Sequence, residues 1–340
     1  MKKSLQIILT ILCAAMILAL PLLVPSGAML GDVKFDLMSR MDEESEGWGD
    51  EGASLLNLLI ARASAEEAPA SETTYVLPVD FSAGMAPNPA GYTADGYQDD
   101  SITVKMETRD EGSVTYRIAF VTVKSATQLR TATAGSLKSS KVANISSMAQ
   151  KNNAIVAINA DYFTNNPTKT SFEYRMGEKI RNKANKTKDI LIIDENGDFH
   201  LLVKSDSAKM KAFNESGHTI VNAFTFGPAL VIDGEVQKID AEYGYNPNGR
   251  EPRMAIGQTG ALSYVLVMAE GRSSESEGVT HQELADYMGA LGCTQAFNLD
   301  GGNSAEMVFN GSFYGSRTSN ERAQSDMIYF ASAVDPASWQ

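Results

Sequence analysis

From residue 75 onward, short apolar runs of β-type residues are bounded by turn residues, so strands dominate this part of the chain. They cover 75–79, 102–107, 114–123, 155–159, 190–194, 199–204, 229–232, 254–258 and 262–269. Ile193-Asp194-Glu195-Asn196-Gly197-Asp198 and Ile232-Asp233-Gly234-Glu235 join neighbouring runs through segments in which Gly supplies a positive φ, so antiparallel hairpins are expected. Two helices interrupt the pattern. One is expected over 140–151. The other opens on a Thr280-x-x-Glu283 capping box, aligns Leu284, Met288 and Leu291 on one face and stops at Gly292, feeding a buried strand over 295–299. A last strand is expected over 327–333. The pattern predicts an α+β fold: a mixed, largely antiparallel β-sheet core with a few packed helices, as one globular domain over 75–340.

The chain before residue 75 reads differently. Lys2-Lys3 precede an apolar run over 5–24, about 20 residues and so long enough to span a bilayer. With the lysines inside, the rest of the chain emerges on the outer side. Residues 1–27 are read either as a signal anchor, which ties the protein to the membrane, or as a signal peptide cleaved near Ser26-Gly27-Ala28; both export it. Residues 28–74 are acidic, rich in small residues and poor in aromatics, the composition of a flexible stem. Of the formal net charge of −13 over 340 residues, much falls in this stretch, and no basic face remains for tracking nucleic acid. Cys13 and Cys293 are the two cysteines, one in the apolar run and one far downstream, so no disulfide is expected between them.

Candidate chemistry concentrates where strands end. Asn298-Leu299-Asp300-Gly301-Gly302-Asn303-Ser304 carries a carboxylate at the tip of a buried strand, followed by two glycines whose amides can turn toward an anion, or can simply form a turn. Asn159 ends another buried strand with Asp161 beside it, in place to bind sugar hydroxyls or to shape an Asx turn. Arg253 opens an apolar strand after Pro252, and Arg322 lies in the polar loop before the last strand. Each is either an ion-pair partner or a bidentate grip for phosphate. Asp326 can pair with either arginine, assist water or begin its strand. Thr280 caps its helix. His281 is exposed by pattern and inert, and His200 and His218 show no metal-type spacing, so no zinc site is expected. Asp161, Asp300 and Glu306 could together hold Ca²⁺ or Mg²⁺, though no ligand loop accompanies them and no cofactor is expected.

Four blocks in this order, Asn159-Ala160-Asp161-Tyr162-Phe163, Phe226-Gly227-Pro228-Ala229-Leu230, Glu251-Pro252-Arg253-Met254-Ala255-Ile256-Gly257 and the stretch 280–311, resemble the phosphodiester glycosidase family. The family commonly has Asn-Gly-Gly-Phe-Phe at the first block, so Asp161 is an added carboxylate, and Glu306 stands where Thr is frequent. The resemblance implies an exported hydrolase that cleaves the glycosyl–phosphate bond of a sugar-1-phosphodiester, in a cell-surface glycan or polysaccharide. Asp300 would act as the main carboxylate, with Arg253 and Arg322 on the phosphate. Asn159, Asp161, Gly227, Thr280, Asn298, Gly301, Gly302, Ser304 and Asp326 would line the substrate. Such a reaction passes through an oxocarbenium-like transition state and commonly uses two carboxylates. The altered residues Asp161 and Glu306 leave open a noncatalytic module that binds glycan or phosphate polymer.

Overall fold

The computed structural model describes residues 76–137, 139–161, 170–316 and 321–338. The expected membrane segment and stem lie outside these residues. No helix among the described residues is long and apolar enough to cross a membrane.

Three sheets carry the domain. In the first, nine strands lie in the spatial order β1 (Tyr92–Thr93), β2 (Gly96–Gln98), β3 (Ile102–Glu111), β4 (Val114–Val123), β15 (Ser263–Ala269), β14 (Arg253–Gly260), β16 (Gln295–Asn298), β12 (Ala229–Ile232) and β13 (Glu235–Val236). The second orders β10 (Phe199–Leu202), β9 (Asp189–Asp194), β11 (Ile220–Phe226), β7 (Phe172–Arg175) and β8 (Glu178–Asn182). The third orders β18 (Ser312–Phe313), β17 (Met307–Phe309), β6 (Ala154–Asn159), β19 (Asp326–Ala331) and β5 (Leu129–Thr133). Every strand pairing among the described residues is antiparallel, so the mixed component of the expected sheet is absent from them.

One core joins the sheets. Val104 and Ile256 from the first, Leu191 and Phe224 from the second, and Ile158 and Phe330 from the third meet in a single buried cluster. Each sheet also packs a helix on another face. Leu284, Ala285 and Met288 of α3 (His281–Ala290) cover Val231, Ala255 and Val267; Ile145 and Met148 of α1 (Ile145–Lys151) cover Ala157 and Tyr329; Phe213 of α2 (Ser207–Glu215) covers Ile190 and Ala223. Each fully buried Leu or Met contributes about 1.5–3 kcal/mol. Strands β6, β9 and β19 are therefore buried on both faces and lose the alternation that the first half of β3 keeps.

Several boundaries depart from expectation. The helix expected over 140–151 begins only at Ile145, because Ala143 pairs with Gln324 as an isolated bridge and holds the preceding backbone extended. Residues 76–79 form no strand, and Val203 and Lys204 leave β10 for a 3₁₀ turn. The capping box is present as expected: the Thr280 hydroxyl accepts from Glu283 N, and Thr280 N donates to Glu283 Oε2 at 2.8 Å.

Candidate active site

Two strands from different sheets end side by side on the same tripeptide pattern, Asn-x-Asp. β6 runs out through Asn159-Ala160-Asp161, and β16 through Asn298-Leu299-Asp300. Asp300 N donates to Ala160 O at 3.2 Å, which ties the two ends together. Fully buried Asn159 locks the junction: its Nδ2 donates to Asp300 O at 2.7 Å and to Ala160 O at 3.1 Å, while its Oδ1 accepts from Glu306 N at 3.1 Å. The amide expected to meet sugar hydroxyls therefore braces the backbone that carries Asp300. Asn298 similarly donates to Gly227 O at 2.9 Å, and its buried Oδ1 has no hydrogen-bond partner among the described residues. Gly227 is required there: its φ is +78°, and a Cβ would stand 2.2 Å from the Tyr243 hydroxyl.

The two carboxylates sit in different surroundings. Asp300 is half-buried, whereas Asp161 is 1% exposed and has both oxygens engaged, Oδ1 by Arg175 Nη2 at 2.5 Å and Oδ2 by Thr225 N at 2.9 Å. Arg175, at the end of β7, also binds Asp326 Oδ2 through Nε at 2.9 Å and Nη2 at 2.8 Å, and lies over the Phe224 ring at 4.2 Å. Burial works against the Arg175 charge, but Asp161 and Asp326 outweigh it and hold the guanidinium pKa above its ordinary value. Asp326 accordingly serves this clamp, which links the second and third sheets. Sequence reading missed Arg175, whose partners lie 14 and 151 residues away.

Arg253 differs from expectation. The register Ala255↔Asn298, continued by two residues, brings Asp300 beside Arg253 on the neighbouring strand. Its guanidinium, however, already has five acceptors: Nε donates to Val279 O, Nη1 to Tyr245 O and His281 Nε2, and Nη2 to Asn246 O and Gly249 O, at 2.7–3.1 Å. An arginine has five N–H groups, so none is left to grip a phosphate in this arrangement. Arg253 instead holds the 245–249 loop, in which Tyr245 and Asn246 both take the left-handed conformation at φ 57° and 54°. Burial lowers the Arg253 pKa to about 10, with Glu251 opposing and Arg272 adding to the shift. His281 is likewise not exposed but fully buried. Because arginine only donates, the ring accepts on Nε2 and carries its proton on Nδ1, which has no partner. Burial, then Arg253 and Lys188, push the His281 pKa down to about 3.

The loop presents Tyr245 to the acidic strand ends. Its ring is 46% exposed and stacks on Phe226 at 4.2 Å, with Lys188 Nζ 3.5 Å from the ring centre. Desolvation, then the negative charge of Asp161 and Asp300, pushes the phenol pKa up to about 12. Lys188 is half-buried, and desolvation lowers its pKa against the pull of Asp189. Neither Tyr245 nor Lys188 lies in a strand or an expected motif, so pattern reading passed over both.

The remaining expected residues are engaged nearby. Gly301 N donates to Asp300 Oδ1 at 3.0 Å and Gly302 N to Pro252 O at 2.7 Å, so the amides expected to cradle an anion have protein acceptors instead. Exposed Arg322 donates from Nη1 to Ser304 Oγ at 2.8 Å, and its backbone N–H to Glu306 Oε1 at 2.7 Å, while Thr280 is taken up by its cap. Asp161, Asp300 and Glu306 do not form a metal-sized cluster among the described residues.

Comparison with known proteins gives this geometry a family. The phosphodiester glycosidase family matches residues 152–331. A SPbeta prophage-derived uncharacterized protein of Bacillus subtilis is 34% identical over 92 residues, which are 27% of this chain and 14% of that protein's length. Among solved structures, the catalytic domain of zebrafish N-acetylglucosamine-1-phosphodiester alpha-N-acetylglucosaminidase, auto-inhibited by its pro-peptide, shares the fold with a TM-score of 0.52 at 18% identity, over 73% of this chain and 87% of that one. A hypothetical protein from Synechocystis shares it with a TM-score of 0.51 at 15% identity, over 68% of this chain and 62% of that one. The family match takes in the two acidic strand ends, the Arg175 clamp and the loop held by Arg253, and it spans more than half of the sequence: this chain belongs to the phosphodiester glycosidase family.

Proposed function

We propose that this protein, exported and held at or released from the membrane surface, hydrolyses the glycosyl–phosphate bond of a sugar-1-phosphodiester in a cell-surface glycan or polysaccharide. The observation that carries this reading is the pairing of Asp161 and Asp300 at adjoining strand ends, with the charge of both bearing on the Tyr245 phenol. Asp161, buried and paired with Arg175, adds a second carboxylate beside the strand tip, of the kind that favours an oxocarbenium-like transition state. Asp300, half-buried at the strand tip, is the carboxylate placed to meet substrate or direct water. A phosphomonoester is a weakly basic leaving group and needs little protonation, so the cation nearest the site matters more than a general acid. With the Arg253 donors occupied, Lys188 beside Tyr245 and Arg272, which donates to Asn303 Oδ1 at 2.8 Å, are the cations available for that role.

The test is turnover of a panel of sugar-1-phosphodiesters by the full chain, read as release of reducing sugar and phosphomonoester. Asp300→Asn is expected to lower kcat by about 10²–10⁴-fold with little change in melting temperature. Stoichiometric binding of a substrate without product, or full activity in the variant, overturns the reading.

A further inference from the structure

At the opposite end of β9 from Asp189, about 17 Å along the strand, two histidines and two carboxylates converge. Asp194 ends β9 and is 1% exposed, Glu195 follows in the turn, His200 lies on β10, and His218 precedes β11. The acids divide their oxygens in the same way. Asp194 Oδ1 accepts from Asn196 N at 2.9 Å and Asp198 N at 3.0 Å, which turns Oδ2 toward His200 Nε2 at 2.9 Å and His218 Nδ1 at 3.4 Å. Glu195 Oε2 accepts from Thr219 N at 2.6 Å and Thr219 Oγ1 at 3.0 Å, which turns Oε1 toward His218 Nδ1 at 3.0 Å. Asp194, Glu195 and His218 each place a donor atom within 4.8 Å of the others.

In a tetrahedral zinc site, with bonds of about 2.0–2.1 Å, ligand atoms stand roughly 3.3 Å apart. His218 Nδ1 stands 3.4 Å from Asp194 Oδ2 and 3.0 Å from Glu195 Oε1, while His200 contacts the group through Asp194 at 2.9 Å and is not one of its three members. Backbone amides on the far oxygens orient the carboxylates as outer partners orient metal ligands. Without a cation, the imidazoles must carry protons to face these acids; a divalent ion would replace those protons. Both rings also line a cavity of about 380 Å³ that gives access from solvent.

From this geometry we infer that Asp194, Glu195 and His218 form a binding site for a divalent first-row transition ion with a mixed imidazole–carboxylate preference, with His200 hydrogen-bonded to Asp194 beside it. The ion staples the β9–β10 hairpin to the entry of β11. Its place at the far end of β9 makes it a structural site, independent of the Asp300 chemistry.

The experiment titrates the untagged full chain, stripped with EDTA, with Co²⁺ and follows the visible band of tetrahedral cobalt. One equivalent is expected to bind, to be displaced by Zn²⁺ and to raise the melting temperature. His218→Gln, which keeps a polar side chain in case alanine unfolds the corner, is expected to weaken binding at least about 10-fold, and Asp300→Asn to leave it unchanged. Absence of a saturable band at one equivalent, equal affinity in His218→Gln, or loss of binding in Asp300→Asn overturns the proposal.

Discussion

Arg175 and Arg253 are both buried guanidiniums at strand ends, yet their acceptors are of opposite kinds. Arg175 lies between two carboxylates, Asp161 and Asp326, and joins two sheets. Arg253 is caged by four backbone carbonyls and a neutral histidine, and the loop it holds carries Tyr245. The first arrangement sets one cation against two carboxylates across two sheets. The second fixes shape, because carbonyl dipoles neutralise no charge but can hold two successive left-handed residues in place. The difference predicts that the two arginines respond differently to removal.

Arg175→Ala gives the larger effect. Two buried carboxylates would lose their counter-charge, and breaking such a pair costs about 3–5 kcal/mol. Chemical denaturation of the full chain should show that loss, together with loss of turnover. Arg253→Met is expected to cost less, about 1–3 kcal/mol, since the 245–249 loop can open and hydrate its carbonyls. Hydrogen exchange of the 245–249 amides should quicken in this variant without any ligand. An unchanged exchange rate would contradict the positioning role and return Arg253 to the phosphate.

The effect that is smallest at neutral pH grows on acidification. His281 stays neutral in the fold, with its pKa near 3, whereas the unfolded chain takes up the same proton near 6.5. The unfolded state therefore binds more protons between about 6.5 and about 3, and stability falls as pH drops through that interval. His281→Gln should flatten the slope by up to one proton per molecule, measured as unfolding midpoints across the interval.

Local signals in the sequence were read well. Thr280 and Glu283 are three residues apart and cap α3 as expected, and the Asp233-Gly234 turn joins β12 to β13 with φ of 52° and 81°. Long-range relations were not legible. Arg175 follows a weak strand pattern, and nothing in its neighbours shows that Asp161 and Asp326 will enclose it. The polar face assigned to His281 turned inward because Arg253, 28 residues earlier, needs an acceptor there. Strand β11 and helix α2 escaped notice for different reasons: Asn222 and Thr225 interrupt the apolar run of the first, and Phe213 is the only fully buried side chain of the second. At the strand ends, Asp300 and Asp161 were legible as residues, but their adjacency rests on contacts between two sheets, Asp300 N to Ala160 O and Asn159 Nδ2 to Asp300 O, that no local pattern announces.

The central claim is that the carbon–oxygen bond at the sugar breaks, with Asp300 facing the anomeric carbon, and not the phosphorus–oxygen bond. Hydrolysis of a sugar-1-phosphodiester by the full chain in ¹⁸O-labelled water, followed by ³¹P NMR of the phosphomonoester, decides it. The account predicts phosphate free of the heavy isotope, with the label delivered to the sugar. Label in the phosphate would mean attack at phosphorus and would contradict it.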